Sequence, residues 1–252
     1  MTFSAERVEQ EDIARMRDIY RHEMNCQIIH DSIHTRPGWS HEYAIAVNGV
    51  RVGYGSVAVA GPWQEIPTLY EFFVLPPHRR RVFDAFGALL AASGVTRIET
   101  QSNDPLLTAM LFAFAPSVSS GSILFHDKHS TTLRPAEAQV RRACEDDADG
   151  IAAHELDSGA SWVVTVGGVV AGAGDILYHY NRPYGDIYMK VGEPFRNGGL
   201  GSFLVQELKR ICYEGGSVPA ARCNPKNIAS RRTLQKAGFV PCGHIVYGTV
   251  SP

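Results

Sequence analysis

A glycine-rich segment in the second half of the chain joins a predicted strand to a predicted helix. It reads VGEPFRNGGLGS and runs from Val191 to Ser202. Glycines let backbone N–H groups converge without an obstructing Cβ, and a helix that begins there offers unpaired N–H groups and the positive end of its dipole. This arrangement favours a phosphate or a pyrophosphate. Such turns also serve packing alone, so the segment by itself leaves both interpretations open.

Two familiar phosphate-binding loops do not fit this segment. It lacks the Gly-Lys-Ser/Thr ending of a P-loop, so no lysine is placed for a terminal phosphate. It also lacks the GxGxxG order and follows predicted antiparallel hairpins late in its domain. A dinucleotide-binding loop follows the first strand of a parallel βαβ unit instead.

Two motifs in this half resemble the signatures of the GNAT superfamily of acyl-coenzyme A-dependent N-acyltransferases. Arg196-x-x-Gly199-x-Gly201 resembles the R/Q-x-x-G-x-G/A signature. Downstream, NPKNIASRRTLQKAGF, from Asn224 to Phe239, resembles the second signature in the N-x-x-S…K-x-G-F form of the RimJ/RimL-like branch. The motifs occur in the family's order, and the resemblance covers about the last 110 residues, whereas the first half matches only in layout.

The resemblance implies that the loop amides hold the pyrophosphate of the co-substrate, acetyl-CoA. The strand before the loop would splay from its neighbour and take up the pantetheine arm along Tyr188–Val191. A backbone N–H at or near Val191 would polarise the thioester carbonyl, and Asn227 would contact the arm. The implied coenzyme-binding residues are Met189, Val191, Arg196, Asn197, Gly198, Gly199, Leu200, Gly201, Ser202 and Asn227.

Transfer to an amine also needs a base, because an amine with a reference pKa of about 10 is mostly ammonium at neutral pH. Many relatives place an acid on the strand before the loop, and Asp186 is the nearest match. A solvated aspartate at a strand end is an equal alternative for Asp186. His154 and Glu155, on the helix that opens this half, are weaker candidates.

The departing thiolate needs a proton donor. Many relatives use a tyrosine on the last helix, but Leu234 stands at that position here. Ser230 is the better candidate for a hydrogen bond to the sulfur, with an ordinary helix serine as the alternative. Tyr188 is held in reserve for the same role.

The two halves of the chain share one layout, with a period of roughly 120 residues. Each has a hairpin that turns at Asn48-Gly49 or Gly167-Gly168, then a third strand, an amphipathic helix, a strand and a second helix. Two unrelated stretches with common patterns are the alternative, which the matched order disfavours. We therefore predict an α+β fold of two tandem GNAT-like domains, residues 1–132 and 133–252. Each would be a mixed, mostly antiparallel sheet flanked by helices.

The first half lacks the glycines of the second. Aligning Val74–Arg79 with Val191–Arg196 places Val82 and Asp84 at the positions of the two signature glycines. A β-branched residue and a carboxylate are poor neighbours for a pyrophosphate. We expect the first half to have lost coenzyme binding, to buttress the catalytic half and to help form the acceptor pocket.

The composition disfavours nucleic acid and membranes as partners. Charged residues make up 20% of the 252 residues, and the formal net charge is −2. The N-terminus lacks the apolar core of a signal peptide, and no apolar stretch is long enough for a bilayer. The five cysteines form no CxxC pair, so we expect a cytoplasmic protein without zinc or disulfides. A monomer and a homodimer are both open.

A metal site is not expected. His30 and His34 have the i,i+4 spacing of metal ligands on a helix, but no third ligand is evident. Ordinary polar contacts are the preferred interpretation of both histidines.

These observations predict an N-acetyltransferase that acts by direct attack in a ternary complex. Its acceptor would be a primary amine on a small molecule. Acetylation of a protein N-terminus or lysine is one alternative. A non-catalytic acyl-CoA-binding sensor is another, which Leu234 favours because the usual tyrosine is missing.

Overall fold

The computed structural model describes residues 2–250, which divide into two compact units. The N-terminal unit contains residues 2–122 and 243–250, and the C-terminal unit contains residues 123–242. Each unit is a mixed, mostly antiparallel sheet flanked by helices, so the predicted α+β class is confirmed. Within residues 2–250, no helix has the length and apolar character needed to cross a membrane.

The N-terminal unit opens with a strand and two helices ahead of its main sheet. Its elements are β1 (Phe3–Val8), α1 (Gln10–Met24), α2 (Asp31–His34), β2 (Ser40–Val47), β3 (Val50–Ala58), β4 (Thr68–Val74), α3 (Val82–Ser93), β5 (Arg97–Gln101) and α4 (Pro105–Phe114). Strands β1 to β4 pair antiparallel in sequence order, and β5 runs parallel to β4. Phe72, Phe86 and Leu107 are fully buried in the main core cluster.

The C-terminal unit repeats this order. Its elements are β6 (Ser119–Asp127, whose first residues lie in the N-terminal unit), β7 (Ala138–Arg142), α5 (Ala148–Ala153), β8 (Trp162–Val166), β9 (Val169–Leu177), β10 (Tyr184–Val191), α6 (Leu200–Glu214), β11 (Val218–Cys223), α7 (Ile228–Lys236) and β12 (Phe239–Thr249, whose last residues return to the N-terminal unit). Strands β7 to β10 pair antiparallel in sequence order, and β11 runs parallel to β10.

The boundaries differ from the predicted 1–132 and 133–252 because the last strand of each half has changed places. Residues 245–249 of β12 pair antiparallel with β5 in the N-terminal unit. Residues 123–126 of β6 pair antiparallel with β11 in the C-terminal unit. A periodic pattern shows that a segment is a strand, but not which sheet it joins.

Both predicted hairpin turns have the same backbone form. Asn48 and Gly49 have φ of 49° and 79°, and Gly167 and Gly168 have φ of 55° and 86°. Two successive residues with positive φ make the two-residue turn whose twist matches that of paired strands. These turns join β2 to β3 and β8 to β9, which pair antiparallel.

The third strand of each unit parts from its parallel neighbour. Strand β10 pairs with β11 over Tyr184–Ile187 and no further, although it stays paired with β9 as far as Val191. Strand β4 pairs with β5 only at Thr68 and Leu69. A splayed pair of strands is therefore present in both units.

A buried ionic network holds α1 and α2 on the sheet of the N-terminal unit. Arg17 Nε lies 3.1 Å from Glu71 Oε2. His34 lies between two glutamates, with Nε2 3.2 Å from Glu71 Oε1 and Nδ1 3.0 Å from Glu42 Oε1. Burial acts to lower the pKa of His34, but Glu71 and Glu42 outweigh it and raise that pKa to about 9. The imidazolium and the guanidinium together compensate the two buried carboxylates.

His30 and His34 both contact the ring of Tyr70, but they pair with different carboxylates. His30 Nε2 lies 3.7 Å from Glu99 Oε1, whereas His34 belongs to the buried network. Each histidine thus has a carboxylate neighbour within the protein.

Replacing Glu71 by glutamine is expected to lower the free energy of unfolding by about 3–5 kcal/mol, because Arg17 and His34 would lose a buried counter-charge. Denaturant unfolding followed by circular dichroism measures the change. The matched control is Asp84→Asn, which removes a solvent-exposed partner of Arg81 and should cost less than about 1 kcal/mol. Equal effects of the two substitutions would contradict this account of the network.

Candidate functional site

The glycine-rich loop delivers an uncapped helix N-terminus. Helix α6 begins at Leu200, and its N-cap is Gly199 with φ of 81°, a left-handed conformation that favours glycine. Glycine has no side chain to cap the first N–H groups of α6, and no other side chain replaces one. Asn197, two residues earlier, also has a positive φ of 67°. The first turn of α6 therefore faces an open loop with donors available to an external acceptor.

A lysine from α7 adds positive charge at this loop. Lys236 Nζ lies 3.4 Å from the position that a Cβ on Gly199 would take. Lys236 belongs to the second sequence motif, from Asn224 to Phe239, but no role was predicted for it. An ammonium group beside a helix N-terminus strengthens the electrostatic attraction for an anion.

The glycines of the loop serve different purposes. A Cβ on Gly201 would stand 3.2 Å from Met189 Cε and 3.3 Å from Thr233 Cγ2, so its absence lets α6 pack closely on β10 and α7. A Cβ on Gly198 would meet only Phe195 O, at 3.8 Å. Gly198 thus faces open space, whereas Gly201 is a packing residue as well as part of the helix start.

Two further loop residues are partly engaged within the protein. Ser202 is buried, and its hydroxyl donates to Thr233 O at 3.1 Å. Leu200 is buried in the core cluster with the rest of the inner face of α6. For both residues only the backbone N–H remains for an anion at the helix start.

The corresponding loop of the N-terminal unit has an arginine whose charge is paired within the protein. Arg79 Nε donates to Val74 O at 2.8 Å, as Arg196 Nε does to Val191 O at 3.3 Å. The matched bonds support the alignment of the two halves. Arg79, however, also binds both carboxylate oxygens of Glu23, so its charge is neutralised in place.

One edge of the splayed strands faces α7. Asn227 caps this helix, since its Oδ1 accepts a hydrogen bond from Ser230 N at 2.9 Å. Ser230 lies near the Cys223 thiol, and burial raises the pKa of that thiol while Ser230 opposes the shift. Cys223 lies on β11 beyond its last pair with β10. Ser230 is thus placed at the gap between the strands, on the side of the sheet that carries α6 and α7.

Asp186 and Tyr188 lie on the other face of the same sheet. Ile187 between them packs with α6, and successive side chains of a strand alternate between faces. Asp186 Oδ2 forms an ion pair with Arg222 Nε at 3.1 Å, while Oδ1 is buried without a hydrogen bond among residues 2–250. Burial raises the pKa of Asp186 to about 6, and Arg222 opposes that shift.

Tyr188 is committed to another aspartate. Its hydroxyl donates to Asp157 Oδ2 at 2.5 Å. Burial, and then Asp157, raise the pKa of Tyr188 well above its usual value. The phenol therefore holds its proton tightly. The structure brings Asp186 and Tyr188 together on one face and places Ser230 on the opposite face.

The two weaker base candidates differ in their surroundings, since His154 packs against the loop and Glu155 is exposed. The ring of His154 meets Phe195 edge-on at 5.2 Å between centroids, and a Cβ on Gly192 would stand 2.8 Å from His154 Cγ. Glu155 is exposed, and its backbone carbonyl accepts a hydrogen bond from Lys190. Both residues follow α5, and neither is on a strand that pairs with β10.

Two residues near Asp186 were missed in the sequence. His126 of β6 pairs with Ala220, which pairs with Asp186, so the three form one row across the sheet. Burial lowers the pKa of His126, which favours a neutral imidazole. Arg222 is the other missed residue, and a charged residue within the otherwise apolar strand Val218–Cys223 was the signal that could have found it.

Residues 127–239 match the model of the acetyltransferase (GNAT) family. No curated protein matches the chain. Among solved structures, an acetyltransferase of the GNAT family from Colwellia psychrerythraea has a TM-score of 0.75 at 14% identity, covering 98% of this chain and 100% of its own.

Two further structures also match both halves. A tandem GNAT protein from the clavulanic acid biosynthesis pathway has a TM-score of 0.64 at 14% identity, covering 99% of each chain. A GCN5-related N-acetyltransferase from Sphaerobacter thermophilus has a TM-score of 0.60 at 12% identity, covering 99% of this chain and 96% of its own. At these identities the likeness concerns the fold.

Replacing Lys236 by methionine is expected to weaken the binding of acetyl-CoA about tenfold, because one positive charge beside the phosphate loop is lost. The loss of affinity should become smaller as the salt concentration is raised from about 0.05 to about 0.5 M, because salt screens the attraction between the lysine and the phosphates. Calorimetric titration measures both effects. Arg210→Met, which removes a charge from an exposed ion pair of α6, is the control and should leave affinity unchanged. A weakening by Lys236→Met that is independent of salt would contradict the electrostatic role.

Proposed function

We propose, from the match of residues 127–239 to the acetyltransferase (GNAT) family, that the protein transfers an acetyl group from acetyl-CoA to a primary amine of a small molecule. The supporting observation is the conjunction of two features in the C-terminal unit. An uncapped helix N-terminus follows β10, and β10 leaves β11 just before that loop. The first suits a pyrophosphate, and the second leaves room for an extended arm between the strands.

The coenzyme would be held almost entirely by backbone groups. The loop from Arg196 to Ser202 supplies N–H donors, and Lys236 adds charge beside Gly199. The unpaired edge of Tyr188–Val191 supplies donors and acceptors to the pantetheine amides, in the manner of an added strand. Asn227 retains its amide NH₂ for the arm, because only its Oδ1 is used as the cap of α7.

Transfer then requires that the amine lose a proton and attack the thioester carbonyl in a ternary complex. Asp186 is the proposed acceptor of that proton, since a carboxylate with a pKa of about 6 is ionised at neutral pH and still basic. Its Oδ1 is sealed from solvent, so the proton has to arrive after a movement of nearby side chains. A slender small-molecule amine suits such a buried carboxylate better than a folded protein surface does.

The thiolate that leaves would be stabilised by Ser230. It lies near the sulfur of Cys223, at the gap between the strands. Tyr188 is the less suitable donor, because its proton is held by Asp157 on the opposite face. Proton transfer from Ser230 itself is not needed if the hydrogen bond lowers the basicity of the thiolate.

A non-catalytic sensor of acyl-CoA is the second candidate. Leu234 is buried in the core of the C-terminal unit at the position where many relatives carry a tyrosine. A leucine side chain has no proton to donate, so the usual donor to the thiolate is missing. Binding of acetyl-CoA without release of thiol in the presence of any amine would favour the sensor over the enzyme.

Calorimetric titration with acetyl-CoA is expected to give one equivalent per chain, because only the C-terminal unit has an open phosphate loop. Gly198→Asp should weaken binding at least tenfold more than Gly198→Asn, on the order of one carboxylate charge close to a phosphate. The two side chains have nearly the same size, so the comparison isolates charge. Two equivalents would show that the N-terminal unit binds as well, and no binding would refute the proposed function.

The turnover number at saturating substrates is expected to rise with pH and to level off above about 6, as Asp186 loses its proton. Asp186→Asn should remove this limb of the pH profile and reduce the plateau by roughly 10²–10⁴. Asp157→Asn is the control, because it alters a carboxylate on the same face that is bound to Tyr188 and should preserve the limb. A pH profile that survives in Asp186→Asn would exclude Asp186 as the base.

A further inference from the structure

Arg222 stands where the two strands part, on the face that carries Asp186. The last pair between β10 and β11 joins Ile187 to Ala221, and Arg222 is the next residue along β11. Its neighbours Ala221 and Cys223 both pack in the cluster under α6 and α7. Arg222 therefore projects from the opposite face, away from the phosphate loop at the start of α6. Its charge is not placed for the phosphates of a coenzyme.

The guanidinium of Arg222 is held in a fixed orientation, but not all of its N–H groups have a partner. Nε is paired with Asp186 at 3.1 Å, Nη2 bonds the Tyr180 hydroxyl, and the group lies 4.8 Å from the centre of the Tyr180 ring. Within residues 2–250, Nη1 makes no hydrogen bond to the protein. The side chain of Arg222 is 30% exposed, against 5% for Asp186. The pair thus combines a buried acid, Asp186, with a planar donor, Arg222, that solvent can reach.

The other carboxylates on this face are already satisfied. Asp157 accepts hydrogen bonds from Tyr188 and from Gly159 N, each to a different oxygen. Asp175 accepts from the backbone and the hydroxyl of Ser161 through Oδ2, and from Ile176 N through Oδ1. These aspartates hold loops and strands together. Unlike these aspartates, Arg222 retains a donor for a ligand.

We propose that Arg222 binds an anionic oxygen group of the acceptor, so that the substrate is an amine that also carries a carboxylate or a phosphate. This inference rests on the proposed function. A guanidinium held along one edge by Asp186 presents its remaining N–H groups in a plane, which suits the two oxygens of a carboxylate or phosphate. The anion at Arg222 and the amine near Asp186 Oδ1 would then lie against charges of opposite sign. Amino acids and amino-alkyl phosphates are the two simplest molecules with both groups.

The test compares matched amines on the same enzyme. Acetyl-CoA-dependent thiol release is measured for the common amino acids against their carboxamides, and for phosphoethanolamine against ethanolamine. The best anionic acceptor should exceed its neutral counterpart at least tenfold in kcat/KM, as expected for a charge-assisted hydrogen bond. A larger preference in the amino acid pairs would identify a carboxylate as the group that Arg222 binds. A larger preference in the phosphoethanolamine pair would identify a phosphate.

The variant Arg222→Gln should bring the ratio of anionic to neutral acceptor close to one. Loss of Arg222 also perturbs Asp186, but that effect acts on both members of a pair and cancels in the ratio. Arg222→Lys, which keeps the charge without the planar donor, should retain part of the preference. Unchanged binding of acetyl-CoA by both variants shows that the C-terminal unit is folded.

The outcomes separate this inference from the proposed function. Neutral amines used as well as anionic ones, or an equal loss for both in Arg222→Gln, would overturn the role of Arg222 and leave acyl transfer standing. Binding of acetyl-CoA without turnover of any amine would overturn both and favour the sensor. A preference for anionic acceptors that disappears in Arg222→Gln establishes the role.

Discussion

Strand β10 is hydrogen-bonded to β11 as far as Ile187 and no further. The backbone groups from Tyr188 onward keep one strand partner instead of two, and a buried backbone group without a partner is costly. An extended ligand arm can supply that partner, because it offers the same donors and acceptors as a strand. The same divergence gives the site its two sides, with Ser230 and Cys223 toward the helices and Asp186 and Arg222 toward the other face. Full pairing of the two strands would remove the gap and separate these groups by a continuous sheet.

The two units share the same strand and loop arrangement before α3 and α6, but the charge and the backbone conformation of the two loops differ. Arg79 and Arg196 make the same bond from Nε to the carbonyl at the end of the preceding strand. In the N-terminal unit Glu23 then neutralises the guanidinium, and α3 begins without a glycine N-cap. In the C-terminal unit the loop is left open and gains Lys236 instead. The splayed strands are present in both units, so splaying alone does not distinguish the loop proposed to bind the coenzyme from its N-terminal counterpart. The charge and the chain conformation at the helix start are what distinguish them.

The sequence allowed the fold class, the hairpins and a helix start within the glycine-rich loop to be predicted, because each depends on local periodicity or on glycine's conformational freedom. The exchange of β6 and β12 between the units could not be predicted in this way, since an apolar strand pattern is the same whichever sheet it joins. The pairing of Asp186 with Arg222 depends on register across two strands distant in sequence. The contact of Ser230 with Cys223 depends likewise on the packing of α7. The sequence left open whether the glycines of the loop serve packing or phosphate binding, and the neighbours of Gly201 show that packing constrains this residue.

The buried carboxylates of corresponding strands β4 and β10 affect stability in opposite directions. Burial raises the pKa of Glu71, but Arg17 and His34 outweigh burial and hold it well below its usual value. Glu71 therefore stabilises the fold at pH values above its unfolded pKa of 4.5, and the contribution is lost as the pH falls. Asp186 has its pKa raised from 3.8 to about 6, so its ionised form weakens the fold above pH 6, and this cost fades as the pH falls toward 3.8. Arg222 offsets only part of the burial, because its guanidinium is shared with Tyr180 and solvent. A complete ion network such as that of Glu71 serves the fold, whereas a half-compensated acid such as Asp186 is the arrangement expected where a proton has to move.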